Sequence, residues 1–256
     1  MKSLKFKGYI FDVDDTLLNN YPVVGGQGLH EKSRLEACRI LGEEMDIPQL
    51  IGVTEKENSD AFRLAPIHSM DGAVWNLLVM KGLVNGDVIE TEHDLLKSIV
   101  RLKNEVHEQV IREEAVETKG ATAFVKVLVD RGYKDKLAVA SSSIRRDIDI
   151  FFEKVGLDLY FSSERIISIE CLEHTKPHPQ AFNLAFDSLG LQEKDRTDVL
   201  VFEDDPRGIM SAVAAGLQVC AITTRYSREE LEALEIAPHF VIDNFDEAYA
   251  IVELNN

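Results

Sequence analysis

The sequence predicts an α/β protein: a doubly wound parallel sheet with helices on both faces, and a large helical block inserted after the first strand. Three observations carry this. Short runs rich in Val, Ile and Phe occur at 8–11, 137–140, 166–169, 199–202, 219–222 and, more weakly, 240–242. They are apolar at successive positions, as strands buried between two helical layers are. Amphipathic segments at 121–130, 144–155, 179–189, 206–215 and 228–234 alternate with the later runs, which is the pattern of strand–helix–strand units. More than a hundred residues separate the first run from the second, and their apolar pattern is helical almost throughout.

Each element has its own signal. The inserted block reads as helices over 29–41, around Val74, Leu77, Leu78 and Lys81, and over 95–110, where Leu95, Leu96, Ile99, Leu102, Val106 and Val110 recur at spacings of three and four. Thr91 with Asp94 three residues on predicts where the last of these begins. Trp75, between Val74 and Leu77, reads as core of the block. The block is too long for a loop in a compact sheet. Two domains are therefore expected, a sheet domain of residues 1–19 and 116–256 and a helical domain of residues 20–115. Gly25-Gly26-Gln27-Gly28 leads into the block without the spacing of a phosphate-binding loop, and is expected to be a connector or hinge. In the sheet domain Gly132, Gly156, Gly190 and Gly216 mark helix ends, and Asp205-Pro206 reads as an N-cap and first helical residue.

Charge excludes several function classes. The chain has 256 residues, and 28 Lys and Arg against 45 Asp and Glu leave a net charge of −17. A nucleic-acid binder or a polybasic membrane-surface protein needs the opposite sign. At 45% hydrophobic and 29% charged residues, the composition is that of an ordinary globular protein. Cys38, Cys171 and Cys220 are too scattered for a disulfide framework or a zinc cluster and read as small core hydrophobes. No stretch approaches the roughly 18 apolar residues of a membrane helix. The basic N-terminus lacks the ~7–15 apolar residues of a signal peptide, so a cytoplasmic location is expected.

The residues that carry chemistry follow the strand runs. Asp12 and Asp14, directly after the first run, are two apart and point the same way in an extended chain. Their like charges repel, and a bound cation offsets that cost. After the second run, Ser141-Ser142-Ser143 offers hydroxyls and amides at a helix start, where anions bind. The hydroxyls of Ser142 and Ser143 also read as plain N-caps. Lys176 lies between Thr175 and Pro177, with His174 and His178 flanking it, and those histidines read as surface or hydrogen-bonded structural residues. Glu203 and Asp204 end the 199–202 run as a carboxylate pair, and oxygen-rich sites with few ligands suit Mg²⁺. Lys32, Arg34 and Arg63 in the inserted block read either as contacts for a substrate's distal part or as solvated surface cations, and the sequence does not choose among them.

Asp12-x-Asp14-x-Thr16, Ser141, Lys176-Pro177 and Glu203-Asp204 occur in the order and strand-end contexts of the haloacid-dehalogenase-like superfamily of phosphohydrolases, which the chain resembles over its whole length. The helical insert resembles the cap of that superfamily's first subclass. The Lys-Pro-x-Pro and Glu-Asp-x-x-x-Gly forms resemble the branch with β-phosphoglucomutase and phosphoglycolate-phosphatase-like enzymes. The resemblance implies a Rossmann-like core in which Asp12 is the nucleophile and Asp14 the acid and base. It implies that Thr16 holds Asp14 or the phosphoryl group, that Ser141 and Ser142 with nearby amides bind phosphoryl oxygens, and that Lys176 neutralises charge around Asp12. It also implies Mg²⁺ held by Asp12, the Asp14 carbonyl, Glu203 and Asp204, and a small phosphorylated metabolite as substrate, with no nucleic-acid or membrane partner. Two departures stand out: Asp15 where many relatives have Gly, and Asp205 where many have Ser. A sugar-phosphate mutase is the alternative within enzymes. A non-hydrolytic phosphoacceptor module uses similar residues, but in another order and without a helical insert.

Overall fold

The structure, a computed structural model, describes residues 5–23, 26–65, 69–86 and 88–253. The chain divides into two compact units, Met1–Asn19 with Val116–Asn256, and Asn20–Ala115. In chain order, β1 (Gly8–Phe11) leads through a tight turn to β2 (Leu18–Asn19). The second unit holds α1 (Leu29–Met45), α2 (Pro48–Ile51), α3 (Glu55–Arg63), α4 (Met70–Met80) and α5 (Asp94–Glu114). The chain re-enters the first unit at β3 (Val116–Glu117), antiparallel to β2. There follow α6 (Ala121–Asp130), β4 (Leu137–Ala140), α7 (Arg145–Val155), β5 (Ile166–Ile167) and α8 (Gln180–Ser188). β6 (Val199–Glu203), α9 (Pro206–Ala214), β7 (Gln218–Ile222), α10 (Arg228–Glu232), β8 (Phe240–Ile242) and α11 (Phe245–Val252) complete it.

The main sheet is parallel, in the order β5-β4-β1-β6-β7-β8. Its two faces separate with the period of two that a strand imposes. Ile10 packs with Ala138, Val199, Val201 and Val219 against Phe182 and Phe186 of α8 and Ile209 of α9. The next residue, Phe11, faces the other way: its ring stacks on Phe202 at 5.1 Å and 7°, and meets Phe124 of α6 and Phe245 of α11. Burying such a ring contributes roughly 1.5–3 kcal/mol. Phe11 lies opposite Val139 on one side and Phe202 on the other. The strands β4, β1 and β6 thus end level, and Ser141, Asp12 and Asp204 emerge along one carboxyl edge, where ligands bind in open α/β sheets.

The helical unit has its own core of Cys38, Leu41, Trp75, Leu77, Leu78, Leu96 and Ile99. Trp75 is core as expected, its indole N–H donating to the Gly86 carbonyl at 3.1 Å.

Several local expectations are corrected. The strand expected over 166–169 ends at Ile167; the Ile169 amide turns to the Ser143 carbonyl (3.1 Å), and residues 169–171 form a 3₁₀ turn. Thr91 does not start α5: His93 is the N-cap, its Nδ1 accepting from the Leu95 amide at 3.3 Å. Cys38 and Cys220 are buried, but Cys171 sits exposed in the 3₁₀ turn. Gly28 precedes α1 and donates its amide to Glu31 at 3.1 Å, while Gly25 of the proposed hinge lies outside the described residues. Among the described residues, no helix is long and apolar enough to cross a membrane.

Candidate active site

The site grows from the turn after β1. The Val13 carbonyl accepts from the amides of Thr16 (3.2 Å), Leu17 (2.9 Å) and Leu18 (2.8 Å), which curls the chain tightly behind Asp12. The turn forces Asp15 into the left-handed region at φ 58°, where Gly is the unstrained residue. An Asp in that conformation needs surroundings that hold it.

Asp12, Lys176 and Glu203 meet in the middle. The Lys176 ammonium donates to Asp12 Oδ1 at 2.6 Å and to Glu203 Oε2 at 2.7 Å, with its side chain 8% exposed. The Phe182 ring lies 4.9 Å from the same ammonium. Glu203 turns its other oxygen to the amides of Asp204 (3.2 Å) and Asp205 (3.1 Å). A Cβ at position 208 would overlap the Glu203 carboxylate, so Gly208 is the space in which that side chain folds back. Thr16 donates its hydroxyl to Asp204 Oδ1 at 3.3 Å. The second oxygen, Asp204 Oδ2, is buried without a hydrogen-bond partner among the described residues.

The electrostatics are lopsided. Oxygens of Asp12, Glu203 and Asp204 lie within 4.8 Å of one another, all three residues buried, and Lys176 is the cation hydrogen-bonded among them. Burial, and then the Glu203 charge, push the Asp12 carboxyl well above the usual carboxylate range despite Lys176. Asp204 is pushed up in the same way, by burial and then by Glu203, Asp15 and Asp12. Burial alone would lower the Lys176 value, but the Asp12 and Glu203 carboxylates overcome it and hold the ammonium above its ordinary range. Crowded, desolvated carboxylates of this kind fit a hard divalent cation with oxygen ligands. The unpartnered Asp204 oxygen gives such an ion a ready ligand. Glu203 is already engaged through both oxygens, so Asp12 and Asp204 fit better as direct ligands than Glu203 does.

The β4 end differs from expectation in part. Ser141 is buried, and its hydroxyl accepts from the Ser143 amide at 3.0 Å. Ser142 is exposed, and no side-chain hydrogen bond joins it to the cluster. Neither Ser142 nor Ser143 caps α7: Ile144 occupies the N-cap position, and the Arg145 amide is met by Glu170 at 3.0 and 3.1 Å. With a distant carboxylate serving the helix end, Ser143 is released to donate its hydroxyl to Asp14. Asp205, by contrast, is the N-cap the sequence indicated, accepting from the Arg207 amide at 2.8 Å. His174 and His178 are exposed, rings 4.5 Å apart, and His178 Nδ1 accepts from the Gln180 amide at 3.3 Å.

Of the expected residues, Asp12, Thr16, Lys176, Glu203 and Asp204 are joined directly by hydrogen bonds or mutual proximity. Asp14 is linked to the β4 end through Ser143, and Ser142 stands apart. Within the helical unit the candidate cations are occupied: Lys32 pairs with Glu114, Arg63 with Asp60 at 2.8 Å, and Arg34 is buried against Asn58. Sequence reasoning missed Ser143 as a partner of Asp14. It also missed Arg225, in the turn after β7, whose guanidinium lies 3.7 Å from both Asp15 and Asp205.

Residues 9–222 match the family model described as haloacid dehalogenase-like hydrolase. The pyrophosphatase PpaX of Bacillus pumilus is 28% identical over 62% of this chain and 68% of its own. Glycerol-1-phosphate phosphohydrolase 1 of Saccharomyces cerevisiae is 26% identical over 90% of this chain and 80% of its own. Among solved structures, CbbY from Rhodobacter sphaeroides in complex with phosphate superposes with a TM-score of 0.67 at 20% identity, covering 94% of this chain and 96% of that one. That last likeness is one of fold.

Proposed function

The chain belongs to the haloacid dehalogenase-like hydrolase family, and on that premise we propose that it is a Mg²⁺-dependent phosphatase hydrolysing a small phosphomonoester through an aspartyl phosphate on Asp12. The observation that carries the reading is the buried trio of Asp12, Glu203 and Asp204 around Lys176. The phosphatase names of the pyrophosphatase and glycerol-phosphate relatives support it. So does the insertion of the 20–115 unit directly after the first motif, the place where the resemblance implies a cap.

In the first step a carboxylate oxygen of Asp12 bonds to phosphorus as the ester P–O bond breaks, and Asp14 gives its proton to the departing alkoxide. In the second, Asp14 takes a proton from water, the hydroxide bonds to phosphorus, and the P–O bond to Asp12 breaks, releasing inorganic phosphate. The donor from Ser143 fixes the Asp14 carboxyl between these roles. Lys176 keeps Asp12 oriented and offsets charge on the phosphoryl oxygens. The Ser141 hydroxyl, which accepts from the Ser143 amide and keeps its own proton to donate, and the Ser142 amide bind those oxygens, and Thr16 steadies the turn by holding Asp204. Mg²⁺, when bound, would supply positive charge to offset that on the phosphoryl oxygens. Asp12, the Asp14 carbonyl and Asp204 would hold it, with Glu203 supporting through Lys176 and the 204–205 amides.

A screen of phosphate release across sugar phosphates, nucleotides and phosphoglycolate, with Mg²⁺ or a chelator, tests the reading. Release that needs Mg²⁺ is expected from at least one class. Isomerisation of a sugar phosphate without release would make the enzyme a mutase. Stoichiometric phosphorylation without turnover would replace both readings with a phosphoacceptor.

A further inference from the structure

Arg225 has no duty in the chemistry above, yet it touches both loops that carry the acids. Its Nε lies 3.7 Å from Asp15 Oδ2 and its Nη1 3.7 Å from Asp205 Oδ2. Asp15 is one residue after Asp14, and Asp205 one residue after Asp204. The preceding residue, Thr224, donates its hydroxyl to the Asp15 carbonyl. The same peptide unit of the β1 turn is thus gripped at its backbone by Thr224 and at its side chain by Arg225.

Asp205 is otherwise committed in a way that leaves one oxygen for this contact. Asp205 uses Oδ1 to cap α9 and to meet Arg207 Nε at 3.3 Å, and presents Oδ2 to Arg225. Asp15 is 4% exposed and holds a left-handed backbone, which a non-glycine residue adopts only when the surroundings enforce it. A guanidinium is suited to this bridging, because its charge is spread over a planar fork that can face two carboxylates at once.

We propose that Arg225 is a positioning residue: a single cation that ties the β1 turn to the β6 turn through Asp15 and Asp205, fixing Asp14 and Asp204 relative to one another. This rests on the phosphatase reading only for its consequence on turnover; the clamp itself is independent of it. Among the described residues Arg225 pairs directly with the acids' neighbours, and it meets Asp204 through charge alone.

The test is a cycle of four proteins: the full wild-type chain, Arg225→Gln, the Asp15→Gly/Asp205→Ser pair, and all three changes together. Melting temperature is measured on each, and kcat and KM with p-nitrophenyl phosphate and Mg²⁺. Arg225→Gln should lower the melting temperature by roughly 2–6 °C in the wild-type background, and by much less once both acids are gone. It should lower kcat about tenfold in the first background and less than about twofold in the second, with KM within about twofold throughout. Arg225→Lys should fall between, since an ammonium cannot span both carboxylates. Equal effects of Arg225→Gln in both backgrounds would overturn the proposal. So would a raised KM at constant kcat, which puts Arg225 on the substrate, or a stability effect with kcat unchanged, which leaves a strut without a catalytic role. A wild-type chain with the stability coupling but no phosphatase activity would sink the functional reading and leave the clamp standing.

Discussion

Two regions bury polar side chains, and they do so on opposite terms. In the helical unit Arg34 is 1% exposed, but its guanidinium donates to the side-chain and main-chain oxygens of Asn58, each at 2.6 Å. Asn58 in turn donates to the Glu31 carbonyl at 2.8 Å, and Ser33 to the Leu29 carbonyl at 2.8 Å. At the carboxyl edge of the sheet, three buried carboxylates crowd together with Lys176 paired to two of them, and a buried oxygen of Asp204 has no partner among the described residues. The first is a satisfied network that holds helices together. The second is a charge imbalance that the fold maintains at a cost, and such imbalances cluster at sites of chemistry.

Substitutions sharpen the contrast. Lys176→Met removes the cation from an acid-rich cluster, and should destabilise by about 3–5 kcal/mol besides ending turnover; denaturant titration checks it. Less costly is Gly208→Ala, whose methyl group overlaps Glu203. It should cost roughly 1–3 kcal/mol and lower kcat by displacing the carboxylate that orients Lys176. In the helical unit Arg34→Met should cost about 1–3 kcal/mol, because the Asn58 oxygens are left buried without their donor. Pairing it with Asn58→Leu should recover much of that loss, as replacing both partners of a satisfied pair does. A site at the surface gives the smallest effect. Thr54 and Glu57 form a capping box, and the Thr54 amide holds the Glu57 carboxyl down to about 2. Its folded value is depressed, so the contribution is complete above the ordinary value of about 4.3 and fades as pH falls through 2. Thr54→Ala should cost about 1 kcal/mol at neutral pH and less in acid.

The same contrast explains what the sequence made legible. The strands β1, β4 and β6 are apolar on both faces and end in Asp12, Ser141 and Glu203, so the carboxyl edge of the sheet and its acids could be read locally. Short helices such as α2 and α3 carry too few turns for a periodic signal, and the Thr54–Glu57 capping box of α3 was passed over. Partner choice was not legible. Ser143 looked like an N-cap because nothing nearby announces that Glu170 serves that helix end. Arg225 is about two hundred residues from Asp15, and a lone arginine after a strand has no local pattern. Asp15 and Asp205 stood out as departures from the family, and only the packed structure brings them to one guanidinium.

The central claim is that the imbalance at Asp12 serves phosphoryl transfer rather than stability. Asp12→Asn tests it most directly, with phosphate release and melting temperature measured on the same preparation. Turnover should fall at least about a thousandfold, while the melting temperature holds or rises, since the change removes one of several crowded buried carboxylates. Turnover near that of the wild type would contradict the account.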